Sequence, residues 1–185
     1  MTLTFGNTSY AYAGDDQTLC ANAPIAHLAG NFSGGAQGIT WSTAGTGSFS
    51  NSTDPNAPYT LSSADIAAGS VQLTLTTITN GSCTASSDAV TLDVHPLPNI
   101  NAGTDVIACT AAPVQLAANV ANAPGGTWTT TGTGTFFDAN ALATLYYPSA
   151  ADSIAGSVTL TVTSTGTLPC SAVSDNLTIT FGGGL

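Results

Sequence analysis

The stretch from Ser149 to Val162 reads Ser-Ala-Ala-Asp-Ser-Ile-Ala-Gly-Ser-Val-Thr-Leu-Thr-Val, and an earlier stretch, Ser62 to Leu75, reads Ser-Ser-Ala-Asp-Ile-Ala-Ala-Gly-Ser-Val-Gln-Leu-Thr-Leu. In each copy a short polar, alanine-rich segment carrying one aspartate (Asp65, Asp152) ends at a glycine (Gly69, Gly156). Apolar residues then recur at every second position. This pattern predicts one helical turn, stopped by glycine, that feeds a half-buried strand. The aspartate is expected to cap the turn with its side chain.

The match extends outward in both directions. Cys20 aligns with Cys109, Trp41 with Trp128, and Cys83 with Cys170. Gly45-Thr46-Gly47-Ser48-Phe49 aligns with Gly132-Thr133-Gly134-Thr135-Phe136, and Tyr59 with Tyr146 or Tyr147. An internal duplication of this length predicts two domains of similar size, each with its own core. In the first copy, strands are expected near Gln17–Cys20, Ile25–Leu28, Gly38–Thr43, Gly47–Phe49, Ala57–Leu61, Ser70–Thr79 and Ala89–Val94. Asn80-Gly81 marks a hairpin turn between the last two. Seven short strands in the order Cys, Trp, Cys suggest an all-β fold of two tandem immunoglobulin-like sandwiches, with Trp41 and Trp128 in the cores.

The expected division is an extra strand and linker over 1–12, a first domain over 13–95, a proline-rich linker over 96–101, and a second domain over 102–182. Thr2-Leu3-Thr4-Phe5-Gly6 resembles the end of each repeat, Thr178-Ile179-Thr180-Phe181-Gly182 most closely. The chain therefore reads as beginning in the last strand of a preceding repeat. It has no signal-peptide pattern at its start.

Composition removes several classes of function. The 185 residues hold ten aspartates and neither Lys nor Arg, for a formal charge of −10. Without cations to neutralise phosphate, nucleic acid and anionic lipid are poor partners. Apolar runs are too short for a helix that spans a membrane. No Gly-x-Ser-x-Gly elbow or Lys-bearing phosphate loop is present, and His27 and His95 fall opposite Gln115 and Gly182 in the other copy. No catalytic constellation follows, and the chain reads as not an enzyme.

The combined order Ala-Gly-x-Asp, Cys, Trp, Gly-Thr-Gly-x-Phe, Tyr, Ser-Ala-x-Asp, Gly-Ser-Val-x-Leu-Thr, Cys resembles the tandem immunoglobulin-like repeats of Bacteroidota surface proteins. These include SprB-type gliding adhesins exported by the type IX secretion system. The resemblance runs from Ala13 to Phe181 and implies an extracellular, array-forming segment without enzymatic activity.

Four cysteines allow three pairings, and the repeat alignment favours Cys20 with Cys83 and Cys109 with Cys170, one bridge per domain. Each such loop would stabilise its domain by about 4 kcal/mol in the chain-entropy model. Bridges of this kind belong to an oxidising compartment. Asp15, Asp16 and Asp105 are candidate calcium ligands at the domain junction, since hard oxygen donors suit that ion; no other cofactor is expected. Asp152-Ser153-Ile154 resembles a Bacteroidota O-glycosylation motif, with Ser153 as acceptor. Asn31, Asn51 and Asn80 head N-linked acceptor tripeptides.

The main expectation is a repeat segment of a surface adhesin or filament that supplies length and stiffness, with neighbouring repeats or like subunits as partners. An alternative is a self-assembling subunit in which Thr2, Leu3, Thr4 and Phe5 insert as a strand into a neighbour. A third reading is a module that binds surface glycans through Tyr10, Tyr12 and Tyr147.

Overall fold

The computed structural model describes residues 8–79, 84–108 and 112–182. The chain divides into two compact units, 1–96 and 97–185. The first contains β1 (Tyr10–Tyr12), β2 (Gln17–Cys20), β3 (Ile25–His27), β4 (Asn31–Ser33), β5 (Ala36–Thr43), β6 (Ser48–Phe49), β7 (Pro58–Thr60), α1 (Ser63–Ala68), β8 (Ser70–Thr79) and β9 (Ser87–His95). The second repeats the series as β10 (Asn99–Asn101), β11 (Val106–Ala108), β12 (Val114–Ala117), β13 (Asn119–Ala121), β14 (Gly125–Thr130), β15 (Thr135–Phe136), β16 (Ala143–Tyr147), α2 (Ala150–Ala155), β17 (Ser157–Thr165) and β18 (Ser174–Phe181).

Each unit is a β-sandwich. The first has a four-stranded sheet, β2-β9-β8-β5, a three-stranded sheet, β3-β7-β6, and the pair β1-β4; the second has β11-β18-β17-β14, β12-β16-β15 and β10-β13. Alternation in the sequence becomes alternation in space. Along β8, Val71, Leu73 and Leu75 point inward; along β9, Val90, Leu92 and Val94 meet them in the core. In the second unit Val158, Leu160 and Val162 face Leu177, Ile179 and Phe181 in the same way. Completely burying side chains of this kind contributes about 1.5–3 kcal/mol each.

All seven strands expected in the first copy are present, within a few residues of their expected limits. Two short strands were not expected, β1 and β4, and they pair with each other. Their counterparts in the second unit, β10 and β13, do the same. Residues 99–101, within the segment 96–101 expected as a linker, form β10.

The first long strand of each unit runs parallel to the last. Gln17 to Cys20 lie beside Leu92 to His95, and Val106 to Ala108 beside Ile179 to Phe181. This pairing places a strand of the unit's own on the outer edge of β9 and β18, leaving β5 and β14 as the opposite edges. Residues 2–5 and the Asn80-Gly81 turn lie outside the described residues.

Candidate functional site

The repeat motif closes on a buried carboxylate. In the first unit Ser62 is the N-cap of α1, and its hydroxyl accepts the Asp65 backbone N–H at 3.1 Å while Asp65 Oδ2 accepts the Ser62 N–H at 3.1 Å. This reciprocal arrangement is a capping box with aspartate at its third position. Gly69, at φ 77°, stops the helix in the left-handed region, where glycine carries no steric penalty. Ser149, Asp152 and Gly156 repeat the arrangement around α2.

The aspartate does more than the capping expected of it. Asp65 Oδ1 accepts the Thr46 N–H at 2.9 Å, and Oδ2 accepts the Gly47 N–H at 2.9 Å and the Tyr59 hydroxyl at 3.0 Å. Asp152 takes the N–H groups of Thr133 and Gly134 at 2.8 and 3.0 Å and the Tyr146 hydroxyl at 2.8 Å. Both aspartates are 3% exposed. A buried anion of this kind is costly unless its lone pairs are satisfied. Here main-chain dipoles and a phenol supply that compensation in a chain that has no Lys or Arg.

This geometry explains the residue types in the motif. A Cβ at Gly45 would lie 2.1 Å from Asp65 Oδ1, and one at Gly132 would lie 2.2 Å from Asp152 Oδ1. A Cβ at Gly47 or Gly134 would meet backbone oxygen and the tyrosine hydroxyl at 2.4–2.6 Å. The aromatic positions form a row behind the carboxylate. Trp41 and Phe49 rings lie 6.0 Å apart and Phe49 and Tyr59 4.8 Å apart; for Trp128, Phe136 and Tyr146 the spacings are 6.4 and 5.1 Å. Trp41 and Trp128 lie in the cores of their units. Trp41 Nε1 donates to Asp54 O, whereas Trp128 Nε1 has no acceptor among the described residues.

Burial pushes the Asp152 carboxyl upward, but the N–H groups of Ser149 and Thr133 and the Tyr146 hydroxyl outweigh it and bring its pKa down to about 2. Asp65 is lowered by the same balance, burial being opposed by the N–H groups of Thr46 and Ser62 and by Tyr59. Burial raises the Tyr59 and Tyr146 phenols, which keeps them protonated as donors.

Cys20, which ends β2 opposite His95, and Cys170, in the connection between β17 and β18, are each disulfide-bonded. Cys83 and Cys109, the partners that the repeat alignment favours, lie outside the described residues.

The candidate calcium ligands serve the strands of their own units. Asp16 Oδ1 accepts the Thr91 N–H at 2.7 Å, and its counterpart Asp105 accepts the Thr178 N–H at 2.8 Å. Asp15 accepts the Tyr12 hydroxyl at 2.7 Å. Among the described residues no three His, Cys, Asp or Glu side chains gather as a metal site. Two acids outside the expected set act similarly, since Asp88 and Asp175 accept the N–H groups of Ala13 and Ala102. Their positions in the repeat, 87 residues apart, were the available signal.

Ser153 is half-buried in α2, and its hydroxyl donates to Ser149 O at 3.3 Å. His27 and His95 are exposed. Tyr10 and Tyr12 project from the same side of β1, 58% and 37% exposed. A depression of about 370 Å³ beside α1 is lined mainly by Ala, Gly, Ser and Thr, with no nucleophile–base pair.

No family model matches the chain, and no curated protein matches it. Solved structures do. The chain is similar to three immunoglobulin domains of titin, I67–I69, in an E-to-A variant, at 13% identity and a TM-score of 0.59, covering 96% of this chain and 66% of that one. It is similar to immunoglobulin domains 1–5 of Sidekick-1 at 11% identity and a TM-score of 0.61, over 97% of this chain and 40% of that one. Mouse cadherin-23 EC22–24 follows at 12% identity and a TM-score of 0.53, over 95% and 67%. The chain spans about two-fifths to two-thirds of the length of these proteins. What they share with it is the fold, a tandem of immunoglobulin-like β-sandwiches.

Proposed function

We propose that the chain is a structural repeat segment of an extracellular surface adhesin or filament, in which each unit supplies length and stiffness and no chemistry. One observation carries this reading. The motif common to both units turns inward, with Gly-Thr-Gly, Tyr and Ser-x-x-Asp binding one another and presenting nothing to a ligand. The tandem fold, the disulfide-bonded state of Cys20 and Cys170 and the absence of Lys and Arg support an exported, protease-exposed setting, because bridges persist in oxidising compartments and trypsin-type enzymes find no cleavage site. The finer assignment, a Bacteroidota gliding adhesin carried by type IX secretion, rests on the sequence resemblance alone.

The test is antibody labelling of source cells before and after permeabilisation. Labelling of intact cells, lost after shaving with proteinase K and retained after trypsin, is the expected result. A signal that requires permeabilisation overturns the proposal.

A further inference from the structure

The Asn-x-Ser/Thr tripeptides headed by Asn31 and Asn51 are held in different ways. Asn31 and Ser33 belong to β4 and pair with Tyr12 and Tyr10 of β1, so that tripeptide is fixed in a strand ladder. Asn31 Oδ1 accepts the N–H of the next residue, Phe32, at 2.7 Å. The third tripeptide, headed by Asn80, lies outside the described residues.

Asn51, Ser52 and Thr53 are exposed in the turn that follows β6. Asn51 Oδ1 accepts the Thr53 N–H at 3.1 Å and the Thr53 hydroxyl at 2.9 Å, so the amide and the hydroxyl of the acceptor pattern stand side by side. Two donors on Oδ1 also favour the anion that forms when Nδ2 gives up a proton, because its charge settles largely on that oxygen. The turn is anchored at its middle, where Ser52 O accepts the Trp41 N–H at 2.7 Å.

The duplication shows that the fold does not need the amide. In the second unit Ala139 O accepts the Trp128 N–H at 2.7 Å, as Ser52 O does for Trp41, and Asp138 stands in the place of Asn51. Asp138 Oδ1 accepts the Asn140 N–H at 2.9 Å and closes the same turn. A carboxylate suffices for the geometry; what Asn51 adds is a nitrogen.

We propose that Asn51 is an N-glycosylation site, and that its co-substrate is a glycosyl diphosphate used by a transferase acting on exported chains. In the step Nδ2 loses one proton and its electron pair forms the bond to C1 of the sugar. The C1–O bond breaks, and the diphosphate leaves with that pair. The inference rests on the extracellular reading and adds to it a covalent sugar at this turn in the first unit, where the second unit carries a carboxylate.

The test takes the chain released from the surface of source cells, digests it with pepsin, since trypsin has no sites, and maps sugar-bearing peptides by mass spectrometry with electron-transfer fragmentation. A mass of the hexose or N-acetylhexosamine class on Asn51 is expected. T53A and N51D, made in the same cells, should each lose that form completely, and T53S should keep it. N51D should also keep the β-sheet circular dichroism of the parent. A surface-released chain with Asn51 bare overturns the inference and leaves the repeat reading intact; so does sugar confined to Asn31 or Asn80, or sugar that persists on Asn51 in T53A. A chain recovered only from inside the cells overturns both.

Discussion

Asp152 shows how an anion is kept in a core without a cation. Three N–H groups and one phenol converge on it, and hydrogen bonds to a charged group contribute about 1.5–3 kcal/mol each when buried. D152N puts an amide NH₂ where donors already point. It should lower the stability of the second unit by about 3 kcal/mol or more, read from denaturant unfolding followed by Trp128 fluorescence. Y146F removes one donor and should cost about 1.5–3 kcal/mol. Acid sensitivity follows with a defined sign. A carboxyl depressed to about 2 in the folded state stabilises fully above its ordinary value of 3.8, and that contribution is lost as pH falls through the interval between the two. The second unit's melting temperature should be flat from pH 7 to about 4.5 and decline below 4, and D152N should flatten the decline. The sequence announced this residue as a helix cap. Its bonds to Thr133 and Gly134, about twenty positions earlier, were unreadable because no local pattern shows which loop folds over a turn.

At the scale of elements, periodicity carried most of the information. β8 and β9 were legible because apolar residues alternate over nine or ten positions, as a half-buried strand requires. β1 and β4 have three residues each and one inward side chain or fewer, too short for a period to register. The parallel course of β2 beside β9 was hidden for a related reason, since strand direction leaves no mark on composition. Helix ends were legible from Ser and Gly. S62A should lower the first unit's stability by about 1 kcal/mol through loss of the cap. G45A should cost about 1–3 kcal/mol, because its methyl group and Asp65 Oδ1 cannot occupy one place. Thermal melts of each variant against the parent would check both.

For the molecule as a whole, the way the acids are held decides how the fold meets salt. Asp16, Asp65, Asp88, Asp105, Asp152 and Asp175 each accept main-chain N–H groups of their own unit, so sodium chloride finds no ion pairs there to screen. A molecule put together like this should be equally firm in brine and in rainwater.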